Sequence, residues 1–227
     1  MRMRRKSNLD ERINSSSDFL IACEHEFTNS LEYIKEKDYI DFKKLFANDN
    51  PIEIDLGCGL GAFLVKKAKQ CPNINFIGVE KFSNIIISAI DKIRAENIKN
   101  VKFINCRVEC IEKFIPNNSI SKIYLNFSNP LNNVSDEKKR LTYKRFLEIY
   151  KKILKENGVI IQKTDNREFF EYSIESFKQN GFLVNEINYD LVSNPVKDNI
   201  ETEHEKKYIL DGRKIHRLKA VLTPFNI

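Results

Sequence analysis

The stretch Ile52-Glu53-Ile54-Asp55-Leu56-Gly57-Cys58-Gly59-Leu60-Gly61 constrains this chain more than any other. Three of its seven glycines fall in the last five of those residues. An apolar run ends in an acid, passes through a glycine-rich turn and enters the helical pattern Ala62-Phe63-Leu64-Val65-Lys66-Lys67-Ala68. That order describes a strand, a ligand loop and a helix. Glycine takes positive φ readily and lets a ligand approach the main chain. The loop stands at the carboxyl end of a strand, where open α/β sheets bind ligands. A dinucleotide site reads G-x-G-x-x-G and sets a pyrophosphate on a helix N-terminus. Here the pattern is Asp-x-Gly-x-Gly-x-Gly, with a carboxylate two residues before the first glycine. That acid suits a ligand carrying an amino group and positive charge. S-adenosylmethionine, with its ammonium and sulfonium, is such a ligand; a purely structural glycine turn is the plainer alternative.

From Asn48-Asp49-Asn50-Pro51 onward, strand-like runs alternate with amphipathic helices. The expected strands are Ile52 to Leu56, Asn75 to Val79, Val101 to Asn105, Ile120 to Phe127 and Val159 to Lys163. The expected helices are Phe63 to Lys69, Ile85 to Ala95, Arg140 to Leu154 and Glu168 to Gln179. Ile86, Ala89, Ile90 and Ile93 keep the i, i+3, i+4, i+7 spacing of a buried helix face. This rhythm predicts an α/β fold with a doubly wound, mostly parallel sheet. Phe182 to Tyr189 and Lys214 to Thr223 read as two further strands that close the sheet as an antiparallel pair. The expected sheet therefore has seven strands. Residues 1–50 read as a basic arm and cap with helical stretches at Phe19 to Phe27 and Tyr39 to Phe46. Residues 51–227 read as the globular domain.

A chain of 227 residues with 41% hydrophobic and 31% charged residues is expected to be one soluble globular domain. No apolar run approaches the roughly 20 residues of a membrane span. The N-terminus lacks the apolar segment of a signal peptide. Five scattered cysteines without a C-x-x-C pair, beside His25, His204 and His216, argue against a zinc site. They read as reduced thiols in a cytoplasm. The net charge of +6 is clustered. Four of the first six residues are basic, a second group runs from Lys138, Lys139 and Arg140 to Lys155, and a third is Arg213, Lys214, Arg217 and Lys219. Such clusters are either the footprint of a polyanion site or solvated faces.

Further polar residues fall at strand ends. Glu80 follows strand two about twenty residues after the glycine loop, where an acid accepts ribose hydroxyls of a nucleoside cofactor. Asn126-Phe127-Ser128-Asn129-Pro130-Leu131 follows strand four, at the expected meeting place of substrate and cofactor. Asp165, after strand five, either caps the next helix or faces the site. Thr202-Glu203-His204-Glu205 has the spacing of a capping box. Carboxylates at these places also fit guanine, whose Watson–Crick edge offers N1–H and N2–H donors.

Together these segments resemble the bacterial tRNA (guanine-N7-)-methyltransferases. The resemblance is carried by Met1-Arg2-Met3-Arg4, Asp55 to Gly61, Gly78-Val79-Glu80, Tyr124 to Ser128, Lys139-Arg140-Leu141-Thr142, Lys163-Thr164-Asp165-Asn166 and Thr202-Glu203-x-Glu205, in that order. It implies the S-adenosylmethionine-dependent methyltransferase fold and methyl transfer to N7 of a guanine in the tRNA variable loop, guanine 46 in the family. Carried over by position, Asp55, Gly57, Gly59, Gly61 and Glu80 resemble the cofactor site. Asp165, Thr202, Glu203, His204 and Glu205 resemble substrate contacts, and Lys138, Lys139 and Arg140 part of the RNA-binding segment.

The chain departs from the family pattern after strand four. Where the family has Asp-Pro-Trp-Pro and a basic run, this chain has Asn129-Pro130-Leu131-Asn132-Asn133. The amide of Asn129 stands for the acid that acts beside the reacting base and the cofactor, and Asn133 stands for a substrate-binding lysine. Arg107 aligns with the adenine-contacting aspartate, and Glu109 is its nearest acidic substitute. Two other readings remain open at this point: a non-catalytic tRNA-binding protein of the same fold, and a methyltransferase acting on another nucleobase.

Overall fold

The computed structural model describes residues 7–23 and 36–223. The basic arm Met1 to Lys6 and His25 lie outside them. The chain forms two compact units, Met1–Pro116 and Asn117–Ile227.

The first unit contains α1 (Leu9–Asn14), β1 (Leu20–Cys23), α2 (Phe42–Phe46), β2 (Ile52–Leu56), α3 (Ala62–Gln70), β3 (Asn75–Val79), α4 (Ser83–Ala95), β4 (Val101–Asn105) and α5 (Ile111–Phe114). Its four strands run in the order β1-β4-β3-β2, all parallel. β2 and β3 are buried along their whole length, as parallel strands covered on both faces must be. Ile86, Ala89, Ile90 and Ile93 of α4 are fully buried, so the helical spacing read from the sequence is a core face. Each such isoleucine contributes about 1.5–3 kcal/mol by leaving water.

The second unit contains β5 (Ile120–Asn126), α6 (Lys144–Ile153), β6 (Leu154–Thr164), α7 (Arg167–Gln179), β7 (Phe182–Asn188), α8 (Glu203–Leu210) and β8 (His216–Leu222). Its strand order is β5-β6-β8-β7. β5 and β6 are parallel, and β8 runs antiparallel to both β6 and β7. The antiparallel C-terminal pair is therefore present.

Three expectations are corrected. Eight strands occur among the described residues, four per unit, rather than seven. The extra one is β1, where a helix was expected. Leu20-Ile21-Ala22-Cys23 is too short an apolar run for periodicity to choose helix or strand, and pairing with β4 decides it. The Phe103 amide donates to the Phe19 carbonyl at 2.8 Å, which extends that ladder. The third correction concerns the helix expected from Arg140. α6 begins only at Lys144, and residues 140–143 form a turn that follows the 3-10 stretch Val134–Lys139.

Candidate active site

In the first unit, the glycine loop is built as the sequence suggests. Gly57, Gly59 and Gly61 all have positive φ, at 81°, 54° and 74°. The amides of Gly57 and Cys58 both donate to the Val79 carbonyl, at 2.9 and 3.0 Å. These bonds tie the loop to the end of β3. The register places Asp55 opposite Gly78, so Asp55 and Glu80 both stand at the carboxyl ends of neighbouring strands. Both are buried, at 2% and 8% exposure. One oxygen of Glu80 accepts from the Phe82 amide at 3.0 Å, at the start of α4. Asn105 donates to the Glu80 carbonyl at 2.7 Å and accepts from Ser83 Oγ at 2.7 Å. Asn105 thus fixes the backbone that carries Glu80. No local pattern announces this role, because a buried asparagine ending a strand has no motif.

The thiol of Cys58 reports the local field. Its pKa is held well above the ordinary value by burial, then by the negative charges of Asp55 and Glu80. Two carboxylates therefore share one small region with the glycine turn. A Cβ on Gly57 or Gly59 would meet nothing within 4 Å, so the main chain there is open to an incoming ligand. A nucleoside carrying an amino acid and a cationic sulfur fits this donor set: open peptide groups in the turn, and an acid on each side. Arg107 and Glu109 lie just after β4, where Arg107 precedes a 3-10 turn at Val108–Cys110. Both are part-buried.

In the second unit, β5 ends where Phe127 takes φ 51°. Leu131 takes φ 48°. Positive φ in such bulky residues is strained and needs support from its surroundings. The Phe127 amide donates to the Lys163 carbonyl at 2.8 Å. The Asn129 side chain accepts from the Leu131 amide at 3.1 Å, closing an Asx turn. Arg140 supplies the rest: its Nε donates to the Pro130 carbonyl at 2.9 Å and its Nη2 to the Leu131 carbonyl at 3.2 Å. Arg140 is 7% exposed and lies 4.5 Å from the Tyr172 ring centre. Two of the nitrogens of its guanidinium therefore hold the loop in shape. Lys138 is exposed, and Lys139 is exposed but paired with Asp136 at 2.7 Å. Asn133 is exposed and leads into the 3-10 turn.

Asp165 does not cap α7. Asn166 does, accepting from the Phe169 amide at 2.7 Å. The Asp165 carboxylate instead accepts from Arg213 Nη1 at 2.7 Å.

The Thr202 to Glu205 run divides in two. Thr202 and Glu205 form a capping box and are buried. Glu205 Oε2 accepts from Lys163 Nζ at 2.6 Å, and Glu205 Oε1 accepts from Asn199 Nδ2 at 2.8 Å. Lys163 Nζ also donates to Asn199 Oδ1 at 3.0 Å and to the Ile200 carbonyl at 2.8 Å. A carboxylate held this way orders the polar segment before α8. The role of Lys163 could not be read from its motif, because the ion pair joins positions 42 residues apart. Glu203 and His204 are exposed. His204 stacks on Phe127 with ring centres 6.0 Å apart, and both rings lie near Tyr208.

The third basic cluster is matched by acids. Arg217 is buried and pairs with Glu186 and Asp198, Lys219 pairs with Glu186, and Lys214 pairs with Asp190. These charges are largely balanced within the unit.

A glycine turn flanked by two strand-end acids, on a mixed sheet with antiparallel C-terminal strands, defines an S-adenosylmethionine-dependent methyltransferase. Solved structures share that fold. The 16S rRNA methyltransferase KamB superposes with a TM-score of 0.61 at 12% identity, over 83% of this chain and 96% of that one. An antibiotic-related methyltransferase gives 0.60 at 19% identity, over 84% and 98%. A family model described as "Putative methyltransferase" matches residues 49–218. The tRNA (guanine-N(7)-)-methyltransferase of Oceanobacillus iheyensis is 45% identical over 83% of this chain and 93% of that protein. Those of Geobacillus sp. and Streptococcus thermophilus are 36% and 37% identical, over 99% and 97% of this chain and 97% and 98% of those proteins. The chain belongs to the tRNA (guanine-N7-)-methyltransferase family.

Proposed function

We propose that the protein methylates N7 of a guanine in the variable loop of tRNA, guanine 46 in the family, and that it acts in the cytoplasm. Asp55, Glu80 and the turn Gly57 to Gly61 hold S-adenosylmethionine, with Arg107 and Glu109 beside its adenine. Asp165 accepts hydrogen bonds from the guanine edge. Exposed His204 and Glu203 line the base, while Thr202 and Glu205 position the start of α8. Lys138 and Lys139 meet phosphates, Asn133 contacts the RNA, and residues 1–50 extend the RNA-binding surface. The observation that carries this reading is the joint presence of the buried Asp55–Glu80 pair and of a separate, part-exposed Asp165 that caps no helix.

When bound, S-adenosylmethionine supplies an electrophilic methyl group on a sulfonium. Guanine N7 bears a lone pair and no proton, so no residue of this chain needs to act as a general base. The chain's task is orientation, which can supply much of the acceleration. As the bond forms, positive charge moves onto the purine. Asn129, pinned by its bond to Leu131, offers that charge an amide dipole where the family offers a carboxylate.

The direct test is nucleoside mass spectrometry on unmodified tRNA incubated with the protein and S-adenosylmethionine. The expected product is 7-methylguanosine. A methyl group on another base would move the reaction to a different nucleobase, and tRNA binding without methylation would leave only a binding protein. The Asp165→Asn variant should lose most turnover with the fold intact.

A further inference from the structure

The side chain nearest to answering Asp165 is one the reaction has not used. Arg213 Nη1 donates to Asp165 Oδ2 at 2.7 Å, and its guanidinium carbon lies 4.9 Å from the Tyr208 ring centre. A planar group with N–H donors on its edge, stacked on an aromatic ring and bonded to a carboxylate, has the recognition chemistry of guanine itself. Guanine would offer N1–H and N2–H where the guanidinium offers its own donors, and would offer a π face to the same ring. We propose that Arg213 is an intramolecular competitor for the base: it occupies Asp165 and Tyr208 in the absence of RNA, and guanine must displace it. This rests on the reading of Asp165 as the acceptor for the guanine edge.

The local build suits an exchangeable arm. The main chain of Arg213 is anchored, because its amide donates to the Tyr208 carbonyl at 2.9 Å behind a left-handed Gly212 at the end of α8. The side chain is 54% exposed, while that of Asp165 is 17% exposed. The fixed partner is thus the acid and the movable one is the arginine. Exposure also sets the scale, because an ion pair in contact with water is weak enough to be replaced. The Phe127, His204 and Tyr208 rings remain as an apolar surface for the incoming base. Either form of the base must displace the guanidinium, so Arg213 weakens neutral substrate guanine and the cationic N7-methylated product by the same factor.

Steady-state kinetics of Arg213→Ala and Arg213→Lys on unmodified tRNA, with methylated tRNA as inhibitor, test the proposal. Loss of the competitor should lower KM for tRNA by about two- to five-fold, the range of an exposed ion pair. The inhibition constant of methylated tRNA should fall by the same factor, because product must displace the same side chain. Arg213→Lys, which keeps charge but not the planar stack, should fall between. A raised KM would make Arg213 an ordinary phosphate contact, and an unchanged KM an idle surface pair; either overturns the proposal. Failure of the underlying reading looks different. If Asp165 does not take the base, Asp165→Asn leaves KM unaltered in the Arg213→Ala background, and if the activity is wrong the wild-type protein makes no 7-methylguanosine.

Discussion

Single residues show how much chemistry one atom decides. Asn129 differs from aspartate only by an amide nitrogen, and its oxygen already accepts the Leu131 amide. Asn129→Asp keeps that acceptor, so the loop should not rearrange. A carboxylate there stabilises the transition state more than the ground state, so single-turnover methyl transfer should speed up while tRNA affinity stays constant. Removing a preorganised contact commonly costs about 2.7–4 kcal/mol, so partial recovery is measurable. Slower transfer would mean that the loop has been rebuilt around the amide. His216 carries a second consequence. It is buried against Phe170, and its Nδ1 donates to the Tyr189 carbonyl at 2.8 Å, so the proton sits on Nδ1. Burial, the largest influence, holds its pKa below the ordinary 6.5. The folded state therefore prefers neutral histidine more than the unfolded chain does. Its contribution is complete above the unfolded pKa and is lost as pH falls through the lower folded value. Urea melts at pH 7.5 and 5 should show this decline, and His216→Phe should be less stable at pH 7.5 but flatter with pH.

Elements depend on residues far away in sequence. α3 can approach α4 only because Gly61 lacks a side chain. A Cβ there would stand 2.9 Å from the Ala89 Cβ, and φ is 74°. Gly61→Ala should lower stability by about 1–3 kcal/mol or more from backbone strain alone. Gly57→Ala, with open space around it, should destabilise less in the same thermal melt while still weakening cofactor binding. The start of α8 depends on the buried Lys163–Glu205 pair, both side chains 3% exposed. Glu205→Gln can keep the capping bond but strands a buried ammonium. Loss of one partner of such a pair costs about 3–5 kcal/mol. Hydrogen exchange should then show the Asn199 to Leu210 segment opening. A loss of activity with stability and exchange unaltered would instead make Glu205 a base contact after all.

At the scale of the whole molecule, the net charge of +6 is less available than its count suggests. Arg140 and Arg217 are buried, and Lys214 and Lys219 have acidic partners. Lys138 and Lys139 remain on the surface. Salt titration of tRNA binding should therefore lose slope when these two lysines become alanine, by roughly 0.7–0.9 per phosphate contact removed. Arg140→Ala should instead lower thermal stability and disturb the Pro130–Leu131 loop. An unaltered slope in the double lysine variant would make them a solvated face.

What the sequence determined by itself was local. The β2–loop–α3 unit, its three left-handed glycines, the buried face of α4 and the capping box at Thr202 were all legible, because turn chemistry and helical spacing act between residues close in the chain. The family resemblance was legible for the same reason, in short motifs. Tertiary structure alone decided which charged groups are free to meet a ligand. Arg140, Arg213 and Glu205 carry the same formal charges in the sequence as any surface residue. One is spent on a strained loop, one on Asp165 and one on Lys163. The strand identity of Leu20–Cys23 was decided the same way, by a partner strand some eighty residues on. Pairing of this kind joins groups far apart in the chain, and a charge or a short apolar run has no local pattern that announces its partner.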